Sequence, residues 1–509
     1  MRIAVIGAGM GGLSAAAALA KLGHEVTVLE AHNLPGGCAQ TFFHRGCRFD
    51  AGATLAGGFN RGGPMALLEE ATGARFNTRQ ADIAMAVHLP GEAPVLRYGD
   101  GRWAQERLRA FGPQAERFWQ WQESRADLLW AFATHLAPWP PQRPSDLLML
   151  LADAARLLAA RSHVGLSLSL AREAVSALGR YLPQGNESLR MFIDAQLLIS
   201  AQCQSDRANA LYGACALDLP RREVRHVAGG IGALAFELSR TLTAHGGRVI
   251  FRSRAHRIVV ERGRAVAVET AMGRLEADAI IANLTPPSLA RLLGEHAPKE
   301  LAVPPSEMEI GAFTVYAAVE SACDDRCLHH QIVLRRPLSE GNSLFASLSP
   351  SWDESRAPRG LRALTLSTHT RLEPWLKLRD HEPVYEERKA SLAAQLLESA
   401  KAALPGVIRD VAFSLAGTPS TFRDFTLRAG GWVGGRAQTS LRVGMAPRVM
   451  PGLWLVGDSV FPGQSVAATA LGGMRVARQL HGDYSSSLSV SRSNWSMSPI
   501  SSSISRSMP

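Results

Sequence analysis

The sequence predicts an α/β fold: a Rossmann-type dinucleotide-binding domain built from discontinuous stretches, a second α+β domain that would hold a substrate, and a helical cap. Three observations predict it. Residues 2–30 read as strand, glycine turn, helix, strand and acid; from residue 107 the composition turns to tryptophan-rich helix; and glycine-bounded strand and helix patterns return near residues 227 and 452.

The first stretch sets the frame. Arg2, Ile3, Ala4, Val5 and Ile6 form a β-rich run that passes into Gly7-Ala8-Gly9-Met10-Gly11-Gly12 and an Ala-rich helix closing at Gly23. Residues 26–29 read as a second strand, and Glu30 ends it, 23 residues after Gly7. The spacing suits a dinucleotide. Gly7 permits a tight turn, Gly9 lets a pyrophosphate approach the backbone, and Gly12 lets helix and strand pack closely, while the helix N-terminus offers unpaired N–H groups to phosphate. Glu30 would accept hydrogen bonds from the adenosine ribose hydroxyls, and its charge would repel a 2′-phosphate, which argues against NADP. Shortly afterwards Gly36-Gly37 either passes beside an extended cofactor or forms an ordinary β-turn.

A chain of 509 residues can bury a large core and is expected to divide into a nucleotide-binding and a substrate domain. The net charge of +10, carried mainly by arginine, favours an anionic partner. With no nucleic-acid motif and no basic run interleaved with aromatics, that partner is expected to be a membrane surface and not nucleic acid. No stretch reaches the ~18 uninterrupted apolar residues of a spanning helix, and a strand beginning at residue 2 leaves no room for a targeting peptide. The expected location is cytoplasmic, peripheral to the inner face of the membrane. Cys38, Cys47, Cys203, Cys215, Cys323 and Cys327 are too scattered for a disulfide framework. The run Cys323-Asp324-Asp325-Arg326-Cys327-Leu328-His329-His330 lacks the spaced ligand pairs of a structural zinc site, so no metal is expected.

Residues 1–75 are read as the first part of the dinucleotide-binding domain and 76–222 as substrate domain with its helical cap. The early segment holds a helix at 64–71 and strands at 82–89 and 95–98. Trp119, Trp121, Trp130 and Trp139 then concentrate before the Pro-rich break at 138–144, and an apolar helix follows at 146–158, flanked by Arg156 and Arg161. Indoles beside an apolar helix and arginines suit either the headgroup region of a bilayer or a lid over a hydrophobic cavity. Further helices are expected at 166–178 and 189–198. Residues 223–290 return to the dinucleotide-binding domain, with a helix to about 245 and strands at 248–251, 255–260, 264–270 and 275–281. Residues 291–415 supply the substrate-domain sheet, with strands at 313–320, 343–348 and 362–368 and a helix at 386–403; this sheet is expected to floor the cavity. Residues 416–480 complete the dinucleotide-binding domain, with a strand ending at Asp458 and a helix from 466 to 480, and 481–509 form a Ser-rich tail expected to be disordered.

Gly7 to Gly12 with Glu30, Gly36-Gly37, Phe49-Asp50, the 417–435 region, and Gly457-Asp458 with Pro462-Gly463 together resemble the carotenoid desaturase and isomerase family, phytoene desaturase-like flavoproteins of the amine oxidase superfamily, across residues 2–480. The resemblance implies FAD, held by Gly7, Ala8, Gly9, Gly12, Glu30, Ala31, Gly37, Cys38, Ala255, Gly457, Asp458, Ser465 and Val466. The helix beginning at Val466 would direct its N–H groups at the pyrimidine edge of the flavin. The chain also departs from the pattern: Cys38 stands where many relatives carry arginine or serine, Ala255 where valine is usual, Ser465 where glycine is frequent, and Gly472-Gly473 in place of Ser-Gly.

The chemistry implied is hydride transfer from an allylic carbon of an apolar isoprenoid to the flavin, with loss of a proton from the neighbouring carbon. Such a reaction needs few acid–base residues, in keeping with a sequence that shows no Ser-His-Asp set, no His-Glu-x-x-His and no carboxylate dyad. No catalytic residue is assigned. Asp127 and His135 are placed to be bases, with solvated or capping roles as the ordinary reading. Polyene isomerisation or saturation uses the same scaffold, and a flavin amine oxidase or a non-catalytic isoprenoid-binding flavoprotein are the alternatives. Oxygen, a quinone or another carrier would reoxidise the flavin.

Overall fold

The computed structural model describes residues 1–159, 164–303 and 308–487. A six-stranded sheet runs in the order Arg448–Met450, Leu453–Leu455, Ala279–Ala282, Arg2–Ile6, Glu25–Leu29, Arg248–Ile250, parallel except between its first two strands. Head, middle and tail of the chain meet here, with Ile3 paired to both Ala279 and Val26, and Ile280 paired to Leu453.

Alternation along the strands decides which layer covers which face. Ile3, Val5, Val26 and Val28 pack beneath the helices Met10–Lys21, Gly232–Ala244 and Val466–Ser487. Ala4, Ile6 and Leu29 pack on the other side against Ile258 and Val268 of an antiparallel meander, Ala255–Glu261, Arg264–Thr270 and Gly273–Glu276. The single strand expected at 275–281 is therefore two. Residues up to Glu276 close the meander, and after Ala277 the chain enters the parallel sheet, where the Asp278 carboxylate accepts from the Arg2 backbone N–H at 2.7 Å.

A seven-stranded sheet has the order Asp410–Gly417, Ile310–Glu320, Arg362–Arg371, Ser343–Leu348, His329–Val333, Met85–His88, Val95–Arg97. It is antiparallel except where His329–Val333 lies parallel to Met85–His88. Two strands from before the helical cap thus complete the sheet, and His329 and His330 sit on a buried strand of it. One face is sealed by Trp375 and by Leu392 and Leu396 of the helix Glu382–Ala403, packed on Phe313, Val315, Leu364 and Leu366. The other face looks into the cavity described below.

The cap differs from the expectation in where it shows its apolar surface. The indoles of Trp103, Trp119 and Trp130 are buried; Arg97 stacks 3.9 Å above the Trp103 ring, and Trp121 stacks on Tyr181 at 4.3 Å. They do not face outward: Trp103, Trp119 and Trp121 pack in one core, and Trp130 lines the cavity as a lid would. Exposed apolar side chains cluster on the helix Pro144–Ala159, where Leu147, Leu148 and Leu151 are 52%, 69% and 59% exposed. Of the two arginines expected to flank it, the side chain of Arg156 and all of Arg161 lie outside the described residues. Among the described residues no helix is long and apolar enough to cross a membrane. The C-terminal helix continues past residue 480 to Ser487, so the start of the expected disordered tail is helical; residues 488–509 lie outside the described residues.

Candidate functional site

The glycine turn is closed by the Gly7 N–H donating to Leu29 O at 2.8 Å, with Gly7 at φ +94°. A Cβ on Gly12 would stand 2.4 Å from Gly7 O, so helix and turn touch backbone to backbone. At Gly9 a Cβ would meet Asn283 Nδ2 at 2.4 Å. Asn283 follows the strand Ala279–Ala282 and its amide faces the turn, 3.4 Å from Gly7 O. The space at Gly9, which the sequence assigns to a pyrophosphate, is thus also claimed by this side chain. No side chain caps the helix Met10–Lys21, and Gly9, Met10 and Gly11 at its start line the cavity.

Glu30 reaches back under the turn. Its Oε2 accepts from the Ala8 N–H and its Oε1 from the His32 N–H, both at 2.7 Å, which leaves each oxygen a second acceptor site. Burial raises its pKa against the pull of those two donors. The second glycine turn docks on the first: the Gly36 N–H donates to Ala8 O at 2.8 Å, Gly36 adopts φ +115°, and Gly9 and Gly36 form a β-bridge. Gly36-Gly37 is therefore a part of the cavity wall, along with Ala31 and Cys38.

Cys38 lies beside Arg428, and burial pushes its thiol up. Arg428 Nη2 is 2.5 Å from Asp458 Oδ2, and its Nε donates to Trp432 O at 2.5 Å. Gly457 precedes Asp458 at φ +122°. Farther on, Ser465 holds φ +96°, its Oγ accepts from the Ala468 N–H at 3.1 Å, and Val466 opens the last helix. Ala255, Arg254 and His256 line the same cavity at the start of the meander. Every position read from the sequence as a cofactor contact lines this cavity except Ala8 and Gly12, which shape the turn behind it.

The cavity measures about 630 Å³. It continues from the turn past Cys38 and Asp458 to the open face of the seven-stranded sheet, where Thr314, Phe345, Ser367 and His369 form one wall and Gln196, Ile199 and Ser200 of the helix Glu187–Ala201 another. Burial holds the His369 imidazole neutral, with its pKa pushed down to about 4. His369 and Asn283 were not legible as site residues: one sits in a Ser/Thr-rich alternating strand and the other in a strand-end loop without a motif. Asp127 and His135 are elsewhere. Asp127 Oδ1 receives Arg221 at 2.7 Å and Arg222 at 2.5 Å, and the His135 ring lies 2.5 Å from Ala131 O at a helix end. Neither lines the cavity.

The donor set fits FAD. An uncapped helix N-terminus opens on the cavity, an acid stands at the end of the second strand, and two buried polar atoms in the adjoining wall, His32 Nδ1 and Ser253 Oγ, have no protein partner, as a bound nucleotide would require. Fold and site define a Rossmann-type flavoprotein oxidoreductase.

Comparison with known proteins agrees. Residues 5–68 match the NAD(P)-binding Rossmann-like domain. The chain is 28% identical to chloroplastic prolycopene isomerase of Arabidopsis thaliana, across 94% of this chain and 82% of that one. It is 24% identical to the neurosporene-forming phytoene desaturase of Cereibacter sphaeroides, across 91% and 92%. A putrescine oxidase structure superposes with a TM-score of 0.60 at 14% identity, across 95% and 99%, which shows a shared fold. The resemblance to carotenoid desaturases and isomerases is carried by nearly the whole chain.

Proposed function

We propose that the protein is an FAD-dependent oxidoreductase acting on a carotenoid or a related isoprenoid polyene, converting C–C to C=C bonds. The observation that carries this reading is a continuous cavity that joins the glycine turn to a chamber between the seven-stranded sheet and the cap, with Leu55, Leu129, Trp130, Phe345 and Phe461 among its lining. The full-length likeness to a phytoene desaturase and a prolycopene isomerase supports the substrate class. Residues 1–75, 223–290 and 416–480 are assigned to the FAD-binding unit, with Glu30, Gly37, Asp458 and the first amides after Ser465 as contacts.

Bound FAD supplies the two-electron acceptor for hydride from an allylic carbon. The chain supplies the rest. Leu55, Leu129, Trp130, Phe345 and Phe461 would exclude water and align an extended apolar chain. The Arg428–Asp458 pair, with the Arg428 bond to Trp432 O, fixes residues 428–432 beside the loop that follows the strand Leu453–Leu455. Entry from a bilayer is assigned to the helix Pro144–Ala159. The segment leading into it is fastened to the cavity wall, since Trp139 Nε1 donates to Leu441 O at 3.1 Å and Phe132 packs on Phe461 at 6.3 Å. On this reading the protein works from the inner face of a membrane.

Isomerisation is a second reading, favoured by the higher identity to the isomerase than to the desaturase. One experiment separates the readings: FAD-loaded protein is incubated with a partly saturated isoprenoid polyene and a quinone. A red-shifted polyene spectrum with a mass loss of two hydrogens marks desaturation, and a changed geometric isomer at constant mass marks isomerisation. Bound but unchanged lipid marks a carrier, and a parallel incubation with a polar amine in air that yields peroxide marks an amine oxidase.

A further inference from the structure

The cavity wall formed by the seven-stranded sheet is not uniformly apolar. Ser343, Ser367 and His369 all line it. They are neighbours in the sheet. Phe345 pairs with Ser367, and Ser343 and His369 each lie two residues beyond that pair at the same end of the ladder, with Ala312 on the other side of His369. Among the described residues none of these three side chains has a hydrogen-bond partner. Their neighbours are committed: Thr368 Oγ1 donates to Ser343 O at 2.8 Å, and Thr314 Oγ1 to the Tyr316 hydroxyl at 2.9 Å.

We infer that Ser343, Ser367 and His369 form a subsite for a neutral oxygen function, a hydroxyl or a carbonyl, carried by the polyene that occupies the cavity. The inference rests on the isoprenoid reading of that cavity and narrows it. A pure hydrocarbon lying along this wall would strip water from two hydroxyls and an imidazole and return nothing, and the loss falls on each unpaired group. A site built to hydrogen-bond an oxygen rejects the analogue that lacks it for the same reason. Serine hydroxyls and a neutral imidazole can each donate or accept, so alcohol and carbonyl are both served. The sheet strands that carry the three side chains bring no carboxylate, lysine or arginine into the cavity lining, and burial holds the His369 imidazole neutral.

The test uses the FAD-loaded full chain and two probes of equal length, a C40 polyene hydrocarbon and its terminally hydroxylated counterpart, with affinity read from the perturbation of flavin absorbance. The hydroxylated probe is expected to bind about 10-fold tighter, ~1.4 kcal/mol. Ser367→Ala and His369→Leu are each expected to bring the ratio down severalfold by weakening the hydroxylated probe alone, with His369→Asn retaining part of it. If His369→Leu does not fold, Ser343→Ala and Ser367→Ala decide. Equal affinity for the two probes, or variants that weaken both probes alike, would overturn the subsite while leaving the isoprenoid reading intact. Binding of neither probe by FAD-loaded protein would overturn the isoprenoid reading and the subsite with it.

Discussion

Arg428 meets Asp458 with a guanidinium nitrogen 2.5 Å from a carboxylate oxygen, and both side chains are about 15% exposed. The same guanidinium holds the carbonyl of Trp432. Removing the arginine leaves a carboxylate in a cavity wall with no countercharge, which costs ~3–5 kcal/mol for a buried pair broken on one side. Arg428→Met is therefore expected to lower the thermal midpoint sharply and to shed FAD. The double variant Arg428→Met with Asp458→Asn is expected to recover most of the stability, because the orphaned charge is gone. Thermal unfolding of the single and double variants checks this; a double variant as unstable as the arginine variant alone would show that the Trp432 bond, and not the ion pair, holds the segment.

Gly9 can be required for two reasons, and a pair of variants separates them. A Cβ there collides with the amide nitrogen of Asn283 at 2.4 Å, and the next nearest atoms, Cγ at 3.5 Å and Oδ1 at 3.8 Å, belong to the same side chain. Gly9→Ala alone is expected to destabilise the protein and to abolish FAD retention. Gly9→Ala with Asn283→Ala clears the collision and is expected to restore folding. FAD content of the folded double variant is then the readout. It is expected to stay low on the proposed reading, in which a pyrophosphate approaches that backbone; full FAD content would assign Gly9 to packing alone.

Much of this site was legible because it is local. Gly7, Gly9, Gly12 and Glu30 sit in one strand–turn–helix–strand unit, and turn chemistry and spacing determine their positions. Asn283 was not legible, since its place against Gly9 depends on the parallel pairing of Ile3 to Ile6 with Ala279 to Ala282 across most of the chain. The strand His329–Val333 was obscured by its cysteine- and histidine-rich approach, and its partner Met85–His88 comes from a distant segment. The tryptophans were legible as a cluster but not as a core, because indoles suit a bilayer interface and a packed helix layer equally well. What decided was which elements cover them, a tertiary fact.

Ser465 strains the approach to the last helix, at φ +96° in a region that L-residues avoid. Glycine relieves a cost of roughly 1–2 kcal/mol there. It also removes the Oγ bond to the Ala468 N–H, but a glycine at an N-cap gives up only a few tenths of a kcal/mol relative to serine. Ser465→Gly is expected to stabilise the protein by ~1 kcal/mol. Chemical denaturation measures it; a lowered midpoint would mean that the hydroxyl has a larger role than capping.

Acid should destabilise the fold through its buried histidines. Burial lowers His226, His330 and His369 from 6.5 to about 4 and His329 well below its ordinary value. His330 meets His88 at 3.2 Å, and the His226 and His329 rings are 5.4 Å apart. Between pH 6.5 and 4 the unfolded chain binds protons that the folded chain refuses, so stability falls as pH falls. Each such histidine contributes a slope of up to ~1.4 kcal/mol per pH unit. His330→Gln is expected to flatten the dependence by about one histidine's share, measured by denaturant unfolding at several pH values through this window. An unchanged slope would show that the imidazole is not held neutral in the folded state.

The helix Pro144–Ala159 turns Leu147, Leu148 and Leu151 to solvent at more than half exposure each, and no described element covers them. Burying a leucine fully gains ~1.5–3 kcal/mol, and about half of each side chain remains to be buried, so transfer of the three into a headgroup layer is worth a few kcal/mol. That gain, with the chain's net charge of +10, is enough for reversible docking on an anionic bilayer. The variant Leu147→Ser, Leu148→Ser, Leu151→Ser is expected to lose at least 10-fold in partitioning onto phosphatidylglycerol vesicles while keeping its FAD, because none of the three side chains lines the cavity. Co-sedimentation at low and high salt reads both contributions. Loss of wild-type binding in salt with no effect of the leucines would assign the docking to charge alone, and undiminished binding of the variant under both conditions would move the contact away from this helix.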